Sequence, residues 1–194
     1  MAGDILKRWR APDGTELTMR PMRRSDAAQV KESLNRLSPE TRRYRFFVTT
    51  REFSDEAARR LTDFDPRTEF ALVVVRRADG REIPIAGGRI AHAGDDGKRC
   101  EFSLLIGDAW QGQGIGHRLL KRLIAEAVRR GLQEIFGLVH ADNRPMLALA
   151  RAHGFMVGQS GEGPGILRVA RDLQGIRRPV RRSWLARLLS RRPQ

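Results

Sequence analysis

The sequence predicts a mixed α+β fold: a mainly antiparallel sheet flanked by helices. Two observations carry this. Three consecutive strand-like runs, residues 70–75, 83–90 and 100–106, are separated only by turn-forming segments, Ala78-Asp79-Gly80 and Gly94 to Gly97, which is the pattern of an antiparallel meander. The hydrophobic period then changes, and the remainder reads as strand, helix, strand, helix, strand, where the first helix is entered through a glycine-rich turn at 110–116.

Taken in order, Thr15 to Arg20 alternates as a first strand and Pro21 ends it. Ser25-Asp26 opens a helix through Ala27, Val30, Leu34 and Leu37, with Pro39 as a breaker. Asp55 to Leu61 is a second helical segment, followed by a turn at Asp63 to Pro66. The three meander strands follow. Leu119, Leu120, Leu123, Ile124 and Ala127 then recur at helical spacing up to Arg130, where Gly131 is placed to stop the helix. Glu134 to Val139 is a strand, Asn143 to Ala152 a helix closing at His153-Gly154, and Phe155–Val157 and Ile166–Ala170 are two last strands. This organisation gives an N-terminal extension at 1–14, one domain at 15–170 and a basic tail at 171–194.

Composition narrows the class. Hydrophobic residues at 40% with 31% charged residues fit a folded domain, and no run reaches the roughly 20 apolar residues of a transmembrane segment. Met1 to Arg10 has no apolar signal core. Cys100 is the single cysteine, so an intrachain disulfide is excluded and a reducing, cytoplasmic setting is expected. His92, His117, His140 and His153 show no paired ligand spacing, and no metal is expected. The formal charge is +14, and residues 171–194 carry eight arginines against one aspartate, half of that total.

Trp110-Gln111-Gly112-Gln113-Gly114-Ile115-Gly116 is the most informative stretch. Glycines at alternate positions leave a turn open at a helix start, where free N–H groups and the positive dipole end favour an anion. A Walker turn is excluded, because His117 and Arg118 stand where lysine and a hydroxyl residue are needed. A dinucleotide fingerprint fits poorly, since three meander strands precede the turn and Glu134 begins its strand rather than ending it.

The spacing Gln111-x-x-Gly114-x-Gly116 resembles the pyrophosphate-binding signature of the GNAT superfamily of acyl-CoA-dependent N-acyltransferases. Asn143 through Leu149 to Gly154-Phe155 is similar to that family's asparagine-led helix and following strand. Leu37 to Arg42 with Tyr44, Arg45 and Phe46, and Glu101-Phe102 through Asp108-x-Trp110-Gln111-Gly112, resemble bacterial protein lysine acetyltransferases within it. The resemblance implies a GNAT-like sheet with acyl-CoA in a central V-shaped opening between the strands ending near Ile106 and Val139. It implies acetyl-CoA as acyl donor, held by Leu105, Ile106, the backbone from Gln111 through Gly112, Gln113, Gly114, Ile115 and Gly116 to His117, and by Asn143. Asn143 equally reads as a plain helix cap ahead of Pro145, and His117 as a solvent-facing first-turn residue.

A lysine amine has a pKa of about 10.4, so its neutral form costs on the order of 4.6 kcal/mol at pH 7 and a base must take the proton. Glu101 is the candidate general base. It shares a strand face with Ser103 and Leu105, and the resemblance implies the same role; the alternative is an ordinary edge or salt-bridged strand glutamate. His140 is the reserve base, at the end of the facing strand. Ala150 occupies the place where many GNAT enzymes carry a tyrosine acid.

For the acceptor, Arg36, Arg42, Arg43, Arg45, Arg51, Arg59 and Arg60 form an arginine-rich segment that favours an amine in acidic surroundings, a protein lysine, over a cationic polyamine. Two other readings stand beside it: a small-molecule amine acyltransferase and a non-catalytic acyl-CoA sensor. In the tail, Trp184, Leu185, Leu188 and Leu189 form one apolar face ringed by arginines, expected to dock on the domain or on a second subunit as a homo-oligomer contact. No specific nucleic-acid binding is expected.

Overall fold

The computed structural model describes residues 6–47, 52–94 and 96–176. Eight strands form one sheet in the order β1-β2-β3-β4-β5-β6-β8-β7. They are β1 Lys7–Arg10, β2 Glu16–Pro21, β3 Glu69–Ala78, β4 Arg81–Ala93, β5 Arg99–Ile106, β6 Glu134–His140, β7 Met156–Gln159 and β8 Ile166–Asp172. Every neighbouring pair is antiparallel except β5 and β6. The helices are α1 Ala27–Asn35, α2 Pro39–Phe46, α3 Asp55–Thr62, α4 Ile115–Arg130 and α5 Arg144–Ala152.

Each meander strand lies within a residue or a few of its expected place. Residues 71–75 of β3 are all buried because both faces of the sheet are covered, which is why this strand reads as a continuous apolar run. On one face α4 buries Leu119, Leu120 and Leu123 completely, and Leu147 and Ala150 of α5 join that core. Gly88 makes the approach possible: a Cβ there would lie 2.9 Å from Leu104 and 3.2 Å from Leu123. On the other face a smaller core gathers Val30, Leu34, Leu37 and Phe53. Gly131 ends α4 in the left-handed conformation at φ 78°, as its position predicts.

Three expectations are corrected. Pro39 does not break a helix; it opens α2 in the first turn, where a missing N–H costs nothing, and the Ser38 hydroxyl caps the Thr41 N–H. Residues 7–10, assigned to an extension, pair with β2 as an edge strand, with Trp9 packed on the main core. At the other end β8 runs to Asp172 and Leu173 is 4% exposed, so the domain continues past 170. Trp184 and the rest of the apolar face expected in the tail lie outside the described residues.

Arg20, Asp26 and Glu126, the buried charged side chains among the described residues, are paired. Arg20, 3% exposed, bonds both Asp26 oxygens at 2.8 Å and Glu82 at 2.7 Å, tying β2 to the segment entering α1 and to β4. Glu126 on α4 is held by Arg129 and Arg130, and Arg130 reaches on to the Glu69 carbonyl at 2.9 Å.

Candidate active site

The parallel pair β5–β6 is joined over only three positions, from Arg99 with Glu134 to Glu101 with Phe136. Beyond Glu101 each strand continues without the other, β5 to Ile106 and β6 to His140. Phe102 sits at the parting point. Its ring lies where a side chain on Gly137 would have to be, 2.9 Å from a Cβ built there, and its edge meets Phe155 at 5.2 Å between centroids. Gly137 was not singled out in the sequence, because nothing local marks a strand glycine as the seat of an aromatic ring.

A cavity of about 750 Å3 occupies this region. Glu101, Leu105 and Ile106 reach it from β5, and Asn143 from the start of α5. Gln111, Gly112, Gly114, Ile115, Gly116 and His117 reach it from the glycine turn. Gln113 and His140 are not among its lining residues. Gln113 instead turns back onto the Ala109 carbonyl at 3.1 Å. His140 is packed between rings, stacked on Phe47 at 4.7 Å and tilted against Tyr44 at 5.9 Å, with its Nε2 buried and unpaired.

The turn is built from both sides. The Gly107 N–H donates to the Ile85 carbonyl at 2.8 Å. The Gln111 side chain donates to the Ile106 carbonyl and to the Thr41 hydroxyl, both at 3.2 Å. Asp108 accepts from the Ser38 N–H at 2.9 Å and from the Ser38 and Thr41 hydroxyls at 2.7 Å, which fastens α2 to the turn. Partial burial pushes the Asp108 carboxyl up, but these donors outweigh it and hold the group below the usual carboxylate range. The Gln111 N–H is spent on the Asp108 carbonyl at 3.3 Å, so the run of open N–H groups begins at Gly112. From Gly112 to His117 no N–H bonds a side chain, or a backbone carbonyl outside α4, among the described residues. Gly112 and Gly114 adopt φ 73° and 74°, which requires glycine. Gly116 is needed for a different reason: a Cβ there would lie 3.0 Å from Leu149 and 3.1 Å from Ile106.

Glu101 makes no hydrogen bond or ion pair among the described residues, so the salt-bridged alternative does not apply. Partial burial raises its pKa above the ordinary value, the Arg45 charge opposes the rise, and Glu162 adds to it. Asn143 is a helix cap: its side-chain oxygen accepts from the Met146 N–H at 3.1 Å. His117 meets His153 at 3.1 Å between ring nitrogens, joining the start of α4 to the end of α5. Cys100 is fully buried and its thiol is pushed up to about 12 by that burial, which makes it unreactive.

Sequence reasoning did not place Tyr44 at the site. It enters the cavity from α2, with its hydroxyl donating to Glu40 at 3.1 Å and lying 3.4 Å from the Asp142 carbonyl. Only the pairing of α2 with the α5 entrance, nearly 100 residues away, brings it there. Arg43 strengthens the same contact through its ion pair with Asp142 at 2.6 Å.

An antiparallel meander, a parallel pair that parts, and a free-amide turn at the following helix together define an acyl-CoA-dependent N-acyltransferase. Residues 16–156 match the acetyltransferase (GNAT) domain family, and the chain belongs to that family. It is 35% identical over 147 residues to Acetyltransferase PA5475 of Pseudomonas aeruginosa, covering 76% of this chain and 78% of that one. It is 30% identical to Acetyltransferase Pat of Mycolicibacterium smegmatis, covering 66% of this chain but 38% of Pat. Among solved structures, the GNAT domain of S. lividans PAT superposes with a TM-score of 0.75 at 25% identity, covering 86% of this chain and 96% of that domain. The chain is therefore an acyl-CoA-dependent acetyltransferase acting on an amine. No helix among the described residues is long and apolar enough to cross a membrane.

Proposed function

We propose that acetyl-CoA binds where β5 and β6 part, that its acetyl group passes directly to an amine, and that Glu101 takes the amine proton. The observation that carries this reading is the run of N–H groups from Gly112 to His117 at the start of a 16-residue helix, opening on the same cavity as an unpaired carboxylate. Those amides donate to the pyrophosphate at any pH, and the helix dipole adds to the attraction. The edge of β5 from Phe102 to Ile106 faces away from β4 without a strand partner, so the pantetheine amides pair with it as an added strand would. The V-shaped opening and the placement of Leu105 and Ile106 beside the cofactor arm belong to this proposal.

The chemistry needs few groups. The neutral amine attacks the thioester carbonyl, the tetrahedral adduct collapses, and the C–S bond breaks. Glu101 receives the proton from the attacking nitrogen, and the raised pKa makes it a stronger base than a free carboxylate. Ala150 is fully buried and offers no acid, so CoA leaves as thiolate or takes a proton from water; a thiol pKa near 8.5 permits that. His140 has no part, because it does not line the cavity.

Two acceptor classes have support. Arg59, exposed and outside any ion pair among the described residues, favours a protein lysine in acidic surroundings, although Arg36, Arg43 and Arg60 are neutralised by Glu32, Asp142 and Glu56. A second, apolar cavity favours a small amine. Glu101→Gln tests the mechanism: turnover falls steeply while calorimetric acetyl-CoA affinity is kept. Normal turnover in that variant rejects Glu101 as base, and tight acetyl-CoA binding with no transfer to any protein or small amine points to the sensor reading.

A further inference from the structure

A second cavity of about 350 Å3 lies on the α1–α3 side of the sheet. Its wall is largely apolar and includes Val30, Leu34, Leu37, Leu61, Val73 and Leu105. It adjoins the 750 Å3 cavity, for Arg45, Phe46, Ser103, Leu105, Asp108 and Trp110 line both. Of these six, Arg45 carries the one positive charge, and Asp108 is already committed to Ser38 and Thr41.

Arg45 is the unusual group. Arg45 is half-buried and its guanidinium nitrogens keep accessible surface, as a side chain lining a cavity does. It forms no hydrogen bond and no ion pair among the described residues, and its guanidinium lies over the Phe46 ring at 4.9 Å. Burial lowers Arg45 to about 10, Arg89 works in the same direction, and only Glu101 opposes them. Arg89 does not share this condition, because Glu69 pairs with it. A fork of donors held open at the junction of two cavities fits a carboxylate, which a guanidinium binds in a bidentate manner.

We infer that the acceptor is a small amino carboxylate with an apolar side chain: its carboxylate on Arg45, its apolar body in the 350 Å3 cavity, and its amine at the boundary facing Glu101. This rests on the proposed transfer chemistry and names its substrate class. The reaction is N-acetylation. The amine nitrogen bonds to the acetyl carbon, the C–S bond breaks, the CoA sulfur keeps the electron pair, and the ammonium proton leaves to Glu101. A free polyamine is disfavoured by Arg45, and a lone lysine side chain supplies no carboxylate to pair with it.

The test compares acceptors that differ in one group. With the full chain and acetyl-CoA, L-phenylalanine and L-leucine are assayed beside phenethylamine and isoamylamine, which lack the carboxylate, and beside lysine peptides flanked by glutamates. The expected kcat/KM for each amino acid exceeds that of its decarboxylated amine by about 10- to 100-fold, the effect of one hydrogen-bonded charge. In Arg45→Gln that ratio falls toward one, while calorimetry shows acetyl-CoA affinity retained and circular dichroism shows the fold retained. Binding of L-phenylalanine to the parent, measured by calorimetry without acetyl-CoA, weakens in the same variant. Transfer to the peptides alone overturns this inference but leaves the general transfer reading standing. Preference for succinyl-CoA over acetyl-CoA, lost in Arg45→Gln, overturns it too, by assigning the guanidinium to the acyl group. Absence of acetyl-CoA binding overturns both readings.

Discussion

At the scale of single residues, the site depends on which side chains are left unpaired. Glu101 is exposed at the cavity wall and carries no hydrogen bond or ion pair among the described residues, and its pKa is raised first by desolvation. As the proposed base, Glu101 works only when deprotonated, so the rate is expected to rise as pH climbs through its pKa and to be lost below it. The acid limb of kcat/KM is expected above the ordinary value of about 4.3, and Glu101→Gln removes that limb together with about 100-fold or more of turnover. A pH–rate profile of both proteins checks this. The turn glycines are not equivalent either. Gly114 is conformational, since an added Cβ meets nothing within 4 Å, so Gly114→Ala costs backbone strain on the order of 1 kcal/mol and weakens acetyl-CoA binding in a protein that still folds. Gly116 is a packing glycine. Gly116→Val forces Leu149 and Ile106 aside, and overpacking of this kind costs about 1–3 kcal/mol, visible as a lower denaturation midpoint without any ligand. A cofactor defect in that variant therefore says little about anion binding, whereas Gly114→Ala separates the two effects.

The elements are held by a small number of side-chain clasps. Asp108 ties α2 to the glycine turn, and α2 brings Tyr44 and Arg45 to the cavities. Its pKa lies below the unfolded value, so its stabilisation is present above that value and disappears as pH falls through the folded one. Asp108→Asn should cost about 1–2 kcal/mol at neutral pH, for three partly exposed hydrogen bonds weakened by loss of charge. Thermal melts across pH 7 to about 3 check the sign: the gap between parent and variant should shrink below the ordinary carboxylate pKa of about 3.9. An unchanging gap would mean that the carboxylate charge contributes nothing. Helix α4 is anchored differently, through Leu119, Leu120 and Leu123, none of which is exposed. Leu123→Ala is expected to cost about 2–5 kcal/mol, because Gly88 beneath it provides no side chain to fill the space.

For the whole molecule, charge and boundary matter most. Half of the net +14 sits in residues 171–194, while among the described residues the sheet ends at Asp172 and the last buried core residue is Leu173. Removing residues 177–194 is therefore expected to leave acetyl-CoA affinity unchanged. Cutting after Ala170 would remove the end of β8 and Leu173 and lower stability instead. Calorimetric titration of the two truncations, with acyl-transfer rates across a salt series, checks both statements; loss of acetyl-CoA binding on removal of 177–194 alone would place the tail in the site. Any contribution of the tail to encounter with acidic partners should weaken as salt rises.

The sequence by itself determined the strand and helix order from β3 onward, the helix stop at Gly131 and the open glycine turn after β5, because hydrophobic period, glycine placement and helix-end chemistry are local properties; β1 and α2 escaped it. It also put Glu101 on one strand face with Ser103 and Leu105, and all three line the 750 Å3 cavity, since strand alternation fixes which residues share a face. The tertiary structure decided what no local pattern encodes. β5 and β6 part after Glu101, and Gly137 admits the Phe102 ring at that point. His140, at the expected strand end, is turned into a ring stack, and Asn143 is spent on a cap. Tyr44 and Arg45 reach the cavities only because Ser38 and Thr41 are bound by Asp108, about 70 residues later in the chain. A residue's period can be read along the chain; which charge remains without a partner depends on contacts between segments far apart in it.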